Sequence, residues 1–295
     1  MNLRETAGML RLAGRYVVGD RRPLLLGMVI TERCNLACHY CRSHTDPSVH
    51  FTFAGAQQVL REAYDRGHRL LYFTGGEPML WRDGRARLRD VIDFARELGF
   101  LYFLIYTNGT LPFSAPASAY IVTLDGPRAI HEQIRPGTYD HILENVRNAK
   151  ERNIYASMTL CRQNFHAVRD YVHEVAAMKL FHGILFNIFT GTPLEREQWG
   201  LNDQQRTQAL DTLWKCKCEG YPIMLSRPAY ESWRMNHWSR PLPQVEICTP
   251  RGFWQCCRDV VTPGVCEECG YGSCIELSQA FAGKFASLFQ ACKIA

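Results

Sequence analysis

Cys34, Cys38 and Cys41 bring three thiols onto one short loop at the spacing C-x3-C-x2-C. Thiolates are soft ligands that suit iron–sulfur clusters or zinc. A structural zinc ion takes four closed ligands, and an ordinary cubane cluster takes four cysteines. Three thiolates hold three corners of a [4Fe–4S] cubane and leave one iron open to a substrate. The alternative is a zinc knuckle with His39 or His44 as fourth ligand, although both histidines read better as polar loop residues. A second group lies far down the chain: Cys248, Cys256, Cys257, Cys266, Cys269 and Cys274. Cys266 and Cys269 form a C-x2-C pair of the metal-binding type. Cys248 with Cys256 or Cys257 supplies the other half, and Cys274 is an alternative fourth ligand. One tetrahedral zinc would satisfy these spacings as well as one cluster. Cys161, Cys216, Cys218 and Cys292 read as non-ligands.

The elements that position these residues follow from apolar periodicity. Residues 24–30 read as a buried strand, and the first cysteine loop leaves its end. Gly75-Gly76-Glu77-Pro78 follows a second apolar run, Leu70–Thr74. The glycines allow a close approach to the backbone, and Glu77 offers an acceptor for a cationic amine. Asn108 follows a third run, and Thr123 ends a fourth. Strands at 24–30, 69–74, 101–106, 119–124, 154–160 and 183–189 alternate with helices at 53–66, 85–98, 139–152 and 165–178. That alternation predicts an α/β fold with a parallel sheet and right-handed crossovers. Residues 190–203 read as a loop and 203–216 as a helix. Short strands and loops follow through 274, and an apolar helix over 276–291 closes the chain.

The cysteine loop with Tyr40 before its third cysteine, joined to the Gly-Gly-Glu-Pro turn, Thr107-Asn108-Gly109 and Thr123-Leu124-Asp125-Gly126, resembles the radical S-adenosylmethionine (SAM) superfamily over residues 24–190. The resemblance implies a partial (β/α)6 TIM-like barrel with catalytic groups at the C-terminal strand ends, where every motif falls. It implies a [4Fe–4S] cluster on Cys34, Cys38 and Cys41, with Tyr40 packing over it. Gly75, Gly76, Glu77 and Pro78 would then hold the SAM amino group, Asn108 and Thr123 would line the SAM site, and Arg135 would meet the SAM carboxylate. For Arg135 a surface ion pair is a serious competitor, and Asp125 and His131 have equally good readings as turn and helix-start residues. Phe186 to Gly191 would contact adenine, or form a plain apolar strand. The second cysteine group resembles the SPASM extension or its shorter twitch form, a small Cys-rich C-terminal domain holding one auxiliary [4Fe–4S] cluster. The expected division is therefore 1–23 lead-in helix, 24–202 barrel and 203–295 Cys-rich region.

The implied chemistry is reductive cleavage of SAM to a 5′-deoxyadenosyl radical, which takes a hydrogen atom from an unactivated carbon. An electron donor such as flavodoxin or ferredoxin is the implied partner. The substrate is a small molecule, a lipid-like molecule or a peptide. With only about two dozen residues before the first strand, no peptide-recognition domain is expected there. Trp199, Trp214, Trp233, Trp238 and Trp254 line a pocket for a lipid-like or aromatic substrate or, the better reading, form the core of the small domain. The rival class is a non-enzymatic iron–sulfur or zinc protein on a degenerate barrel, against which stand the intact cysteines and Gly-Gly-Glu-Pro.

Composition bounds this reading. A chain of 295 residues buries a large core. Its net charge of +5, from 34 basic and 29 acidic residues, is too weak and dispersed for a nucleic-acid binder. Thirteen cysteines without a signal peptide point to metal-bound thiolates in a reducing cytosol. No transmembrane segment is expected. Residues 3–16 carry a short helical pattern, read as a cap on the barrel rather than a lipid-touching surface helix.

Overall fold

The computed structural model describes residues 8, 11, 12, 14, 20, 22–41, 46–150, 153–257 and 259–294, and not the side chains of 291–294. The expected lead-in helix is helical at residues 8, 11, 12 and 14 and otherwise lies outside the described residues, as do His44 and the Cys292 side chain.

The first strand, β1 (Leu25–Thr31), is followed by helix α1 (Phe53–Arg66) and β2 (Leu70–Gly75). Thr52 caps α1 by accepting from the Gly55 N–H at 3.0 Å, and Gly67, at φ 119°, ends it. A small hairpin, β3 (Arg82–Asp83) and β4 (Ala86–Arg87), interrupts the alternation before α2 (Leu88–Leu98) and β5 (Tyr102–Thr107). Then come β6 (Ala119–Thr123), α3 (Arg128–Ile134), α4 (Tyr139–Asn148), β7 (Ile154–Leu160), α5 (Val168–Met178) and β8 (Gly183–Ile188). The C-terminal part adds α6 (Pro193–Trp199), α7 (Asp203–Cys218), α8 (Arg227–Arg234), β9 (Val245–Thr249), β10 (Gly252–Gln255), α9 (Gly272–Phe281) and α10 (Phe285–Ile294).

Among the described residues the main sheet has eight strands in the order β10-β9-β1-β2-β5-β6-β7-β8, and only β10 runs antiparallel to its neighbour. Six of these are the expected barrel strands. On the helix side, Leu26, Met28, Leu71, Phe73, Phe103 and Ile105 pack against Leu60, Ala63, Val91 and Ile92. On the concave side, Tyr102, Ala119, Ile121, Tyr155 and Leu185 pack with Leu70, Leu104 and Tyr106. Gly27 faces that side because a Cβ there would lie 2.2 Å from the Tyr72 ring.

Three expectations need correction. The region 190–203 contains α6, which Thr192 and Glu195 cap reciprocally with Pro193 in the first turn. The closing helix is two helices, broken where Gly283 takes φ 78°. The division at residue 202 does not coincide with a division of the sheet, because β9 pairs in parallel with β1. The Cys-rich region also clasps the end of β8. The Ile188 N–H donates to the Gly270 carbonyl at 2.7 Å, and the Gly272 N–H donates to Asn187 Oδ1 at 3.1 Å. A Cβ on Gly272 would stand 2.3 Å from the Phe186 carbonyl oxygen, so that contact requires glycine.

Candidate active site

The cysteine loop leaves β1 at the C-terminal rim of the sheet, and its neighbours hold it by backbone contact. The Gly76 N–H donates to the Thr31 carbonyl at 2.8 Å, and the Glu77 N–H to the Arg33 carbonyl at 2.7 Å. A Cβ on Gly75 would lie 2.0 Å from Thr31 O, and one on Gly76 would lie 2.2 Å from Arg33 O. The two glycines are therefore required by the chain leading into Cys34. The sequence expectation gave their freedom to a ligand; the structure gives it to the loop.

Glu77 is corrected for a related reason. Its carboxylate is fully buried, and Pro78 follows it into a single 3-10 turn, Pro78–Leu80. The carboxylate accepts from the Met79 N–H at 3.0 Å, the Asn108 N–H at 2.7 Å and the Thr107 hydroxyl at 2.9 Å. Burial raises its pKa against these stabilising bonds. Glu77 thus welds the β2 turn to the β5 turn and does not present itself to a ligand amine. Thr107, for which no role was expected, is its partner.

Asn108 carries the weld to the cysteines. Its Nδ2 donates to Asn35 Oδ1 at 3.0 Å and approaches Cys34 Sγ at 3.7 Å. Asn35 in turn donates to Thr110 Oγ1 at 2.8 Å, and the Leu36 N–H points at Cys34 Sγ from 3.4 Å. N–H groups aimed at a ligand sulfur are one of the means by which a protein tunes an iron–sulfur centre. Cys34, Cys38 and Cys41 lie within electrostatic reach of one another. Burial raises the Cys34 thiol, and it pushes Cys38 up to about 11 against the pull of the Arg135 cation. Among the described residues, no three His, Cys, Asp or Glu side chains close on a single point as one metal ion demands. The loop's soft, part-buried, three-sulfur set suits a cubane, whose ligand sulfurs stand farther apart than those round one zinc.

Arg135 is neither a surface pair nor an isolated cation. Its Nε donates to Asp125 Oδ2 at 2.6 Å, and the Tyr40 hydroxyl donates to the same oxygen at 2.5 Å. Burial disfavours the Arg135 charge, while the Asp125 carboxylate holds it protonated. Asp125 is itself fully buried and takes the Thr159 N–H at 3.1 Å. His131 Nδ1 accepts the Asp125 N–H at 3.1 Å, so its proton sits on Nε2, 2.9 Å from Thr138 Oγ1. Burial pushes His131 down to about 4. Tyr40 also meets Phe189 edge-on, with ring centroids 5.9 Å apart. Thr123 alternates with Ala119 and Ile121 and so faces the concave side, in register with Ser157. Phe186 turns the other way, edge-on to Tyr171 at 5.7 Å, so it does not face the concave side for an adenine contact. Trp233 and Trp238 are core residues, Trp214 stacks on Tyr230, and Trp199 sits 6.4 Å from His39.

The second thiol group gathers Cys256, Cys257, Cys266, Cys269 and Cys274 within electrostatic reach of one another. The Cys274 thiol hydrogen-bonds Cys256, which lowers Cys256 and raises Cys274. Cys256 takes a positive φ of 65°, rare for a residue with a side chain. Beneath this group lie Tyr72 and Tyr106, edge-on at 5.7 Å on the concave face. Cys248 does not join it. Strand β9 pairs Cys248 with Met28 on the helix side of the sheet, and its electrostatic neighbours are Glu246 and Glu62. The alternation of a strand sends Cys248 away from the face that Cys256 shares with Tyr72.

Residues 28–175 match the profile of the Radical SAM superfamily. The chain is 28% identical over 162 residues to an AdoMet-dependent heme synthase of Oleidesulfovibrio alaskensis, covering 50% of this chain and 40% of that protein. It is also 28% identical over 164 residues to a probable GTP 3′,8-cyclase of Methanothermobacter marburgensis, covering 52% of each. The chain thus spans about half the length of the curated relatives it matches. Its fold resembles that of native anSMEcpe with bound AdoMet and the Kp18Cys peptide. The TM-score is 0.55 at 18% identity, over 73% of this chain and 67% of that one.

Proposed function

The chain belongs to the radical SAM superfamily, and from that premise we propose an enzyme that holds a [4Fe–4S] cluster on Cys34, Cys38 and Cys41 and cleaves SAM there. The observation that carries the reading is the loop itself: three thiols within electrostatic reach of one another, braced by the Gly-Gly-Glu turn and by Asn108. When bound, such a cluster supplies one electron to the SAM sulfonium and so yields methionine and a 5′-deoxyadenosyl radical. The chain's own residues do the rest. Gly75 and Gly76 set the loop's exit from β1, and Glu77 locks the turn to Asn108. Asp125 and Tyr40 hold Arg135 beside Cys38, where a fixed cation favours a thiolate over a thiol. Thr123, on the concave face, keeps a hydroxyl for the SAM ribose.

The second thiol group is proposed to hold one auxiliary [4Fe–4S] cluster, with four ligands drawn from Cys256, Cys257, Cys266, Cys269 and Cys274. Residues 203–295 form the extension that carries it, apart from β9 and β10, which continue the barrel sheet. Two substrate classes have support. A peptide agrees with the Kp18Cys peptide bound to the structurally similar anSMEcpe, and a small molecule agrees with the names of the heme synthase and cyclase relatives. The electron comes from a donor such as flavodoxin or ferredoxin. Among the described residues no helix is long and apolar enough to cross a membrane. Anaerobic reconstitution tests the cluster assignment. About eight irons per chain are expected, four for each cubane. Adding SAM should change the electron paramagnetic resonance signal of the reduced first cluster. Four irons with one zinc would replace the auxiliary cluster, and a signal indifferent to SAM would remove the open iron.

A further inference from the structure

We propose that a cleft beside the cysteine loop is the docking site of an acidic one-electron donor protein carrying a flavin or an iron–sulfur centre. The proposal rests on the SAM-cleaving reading, since that chemistry needs an electron delivered to this loop. The cleft has a volume of about 520 Å³ and is walled by residues that follow β1, β2 and β5. Its floor is apolar, with Met79, Trp81 and Leu111, and its rim carries Arg33, Arg82 and Arg87.

The β3–β4 hairpin extends the positive rim. Arg82, Arg85, Arg87 and Arg89 all stand exposed within eight residues. Among the described residues none of the four enters an ion pair. The two acids of this stretch are occupied by backbone: Asp83 accepts from the Phe53 N–H at 2.7 Å, and Asp90 from the Arg87 N–H at 2.6 Å. The Arg87 guanidinium bonds the Gly84 and Ala86 carbonyls, which fixes its charge on the hairpin. Concentrated positive charge steers an acidic partner and sets its orientation.

Position supplies the second argument. Arg33 on the rim precedes Cys34 directly, and Cα atoms across a trans peptide are about 3.8 Å apart. Leu111 on the floor is three residues past Asn108, which approaches Cys34 Sγ. A protein seated in the cleft therefore touches the residues that hold the first thiol. A bare anion would use the arginines and leave the apolar floor uncovered. A protein surface with an apolar centre and acidic rim covers both, and redox encounters need only a small interface.

The test is direct binding of a purified acidic flavodoxin to the full chain, by calorimetry at low and moderate salt. The unaltered protein should bind it, more weakly as salt rises. Arg82→Glu with Arg85→Glu should bind about tenfold more weakly or worse, and Arg82→Lys with Arg85→Lys should bind nearly as the original. In parallel, dithionite-driven 5′-deoxyadenosine release should be the same in all three, while flavodoxin-driven release falls in the Glu variant alone. Equal flavodoxin binding by the Glu variant overturns the docking site. So does a cleft that takes inorganic phosphate while flavodoxin fails to bind. Absence of dithionite-driven release in the unaltered protein would instead overturn the SAM-cleaving reading, and the binding assay would still decide the docking surface.

Discussion

Replacing Glu77 by alanine separates a structural weld from a ligand contact. The carboxylate accepts from two backbone N–H groups, of Met79 and Asn108, and from the Thr107 hydroxyl. A buried donor left without its partner costs about 1–3 kcal/mol. The Thr107 hydroxyl can turn elsewhere, and removing a carboxylate that burial already disfavours offsets part of the loss. The balance is a destabilisation of about 3 kcal/mol. At about 2–4 °C per kcal/mol for a domain of this size class, the melting temperature should fall by roughly 6–12 °C. The assay is thermal unfolding of the apoprotein under reducing conditions, without iron or SAM. A carboxylate whose only work is to bind the SAM amine would leave that melting temperature unchanged. A shift below about 2 °C would refute the weld, given the same conversion.

Other expectations follow from the same geometry. Gly76→Ala should displace the cysteine loop, because its Cβ would lie 2.2 Å from Arg33 O; iron should fall by about four per chain with far-ultraviolet dichroism unchanged, and full iron loading would contradict this. Cys248→Ala should keep the full iron content and Cys269→Ala should lose the auxiliary iron; the reverse pattern would restore Cys248 as a ligand. His131, held near 4 in the fold against about 6.5 unfolded, should stabilise the protein fully above pH 6.5 and lose that contribution as pH falls towards 4, at about 1.4 kcal/mol per pH unit. Nuclear magnetic resonance of its imidazole checks the sign, and titration near 6.5 would show that burial does not hold it neutral.

The barrel was legible because each of its six expected strands is an apolar run bounded by Gly or a polar residue. Helix 53–66 could be read to the residue, since Thr52 and Gly67 mark both ends. Helix α6 was hidden in a stretch punctuated by Gly191, Pro193 and Gly200, where proline starts the helix rather than breaking it. Strand β9 was hidden because Val245–Thr249 is short and its partner β1 lies more than 200 residues away. That same pairing took Cys248 out of its expected group, and spacing along a chain carries no information about which face of a sheet a thiol occupies. The Gly-Gly-Glu-Pro turn was recognisable, but its role depended on Thr31 and Arg33, which only the folded sheet brings to it. The Asp125 hub was invisible for the same reason: Tyr40 lies 85 residues from it.

The most direct measurement is release of 5′-deoxyadenosine from SAM by the anaerobically reconstituted protein with dithionite, set beside the triple variant Cys34→Ala, Cys38→Ala, Cys41→Ala. The unaltered protein should yield 5′-deoxyadenosine and methionine in equal amounts, and the triple variant neither, although its second thiol group still takes up iron. Equal release by both proteins would contradict it.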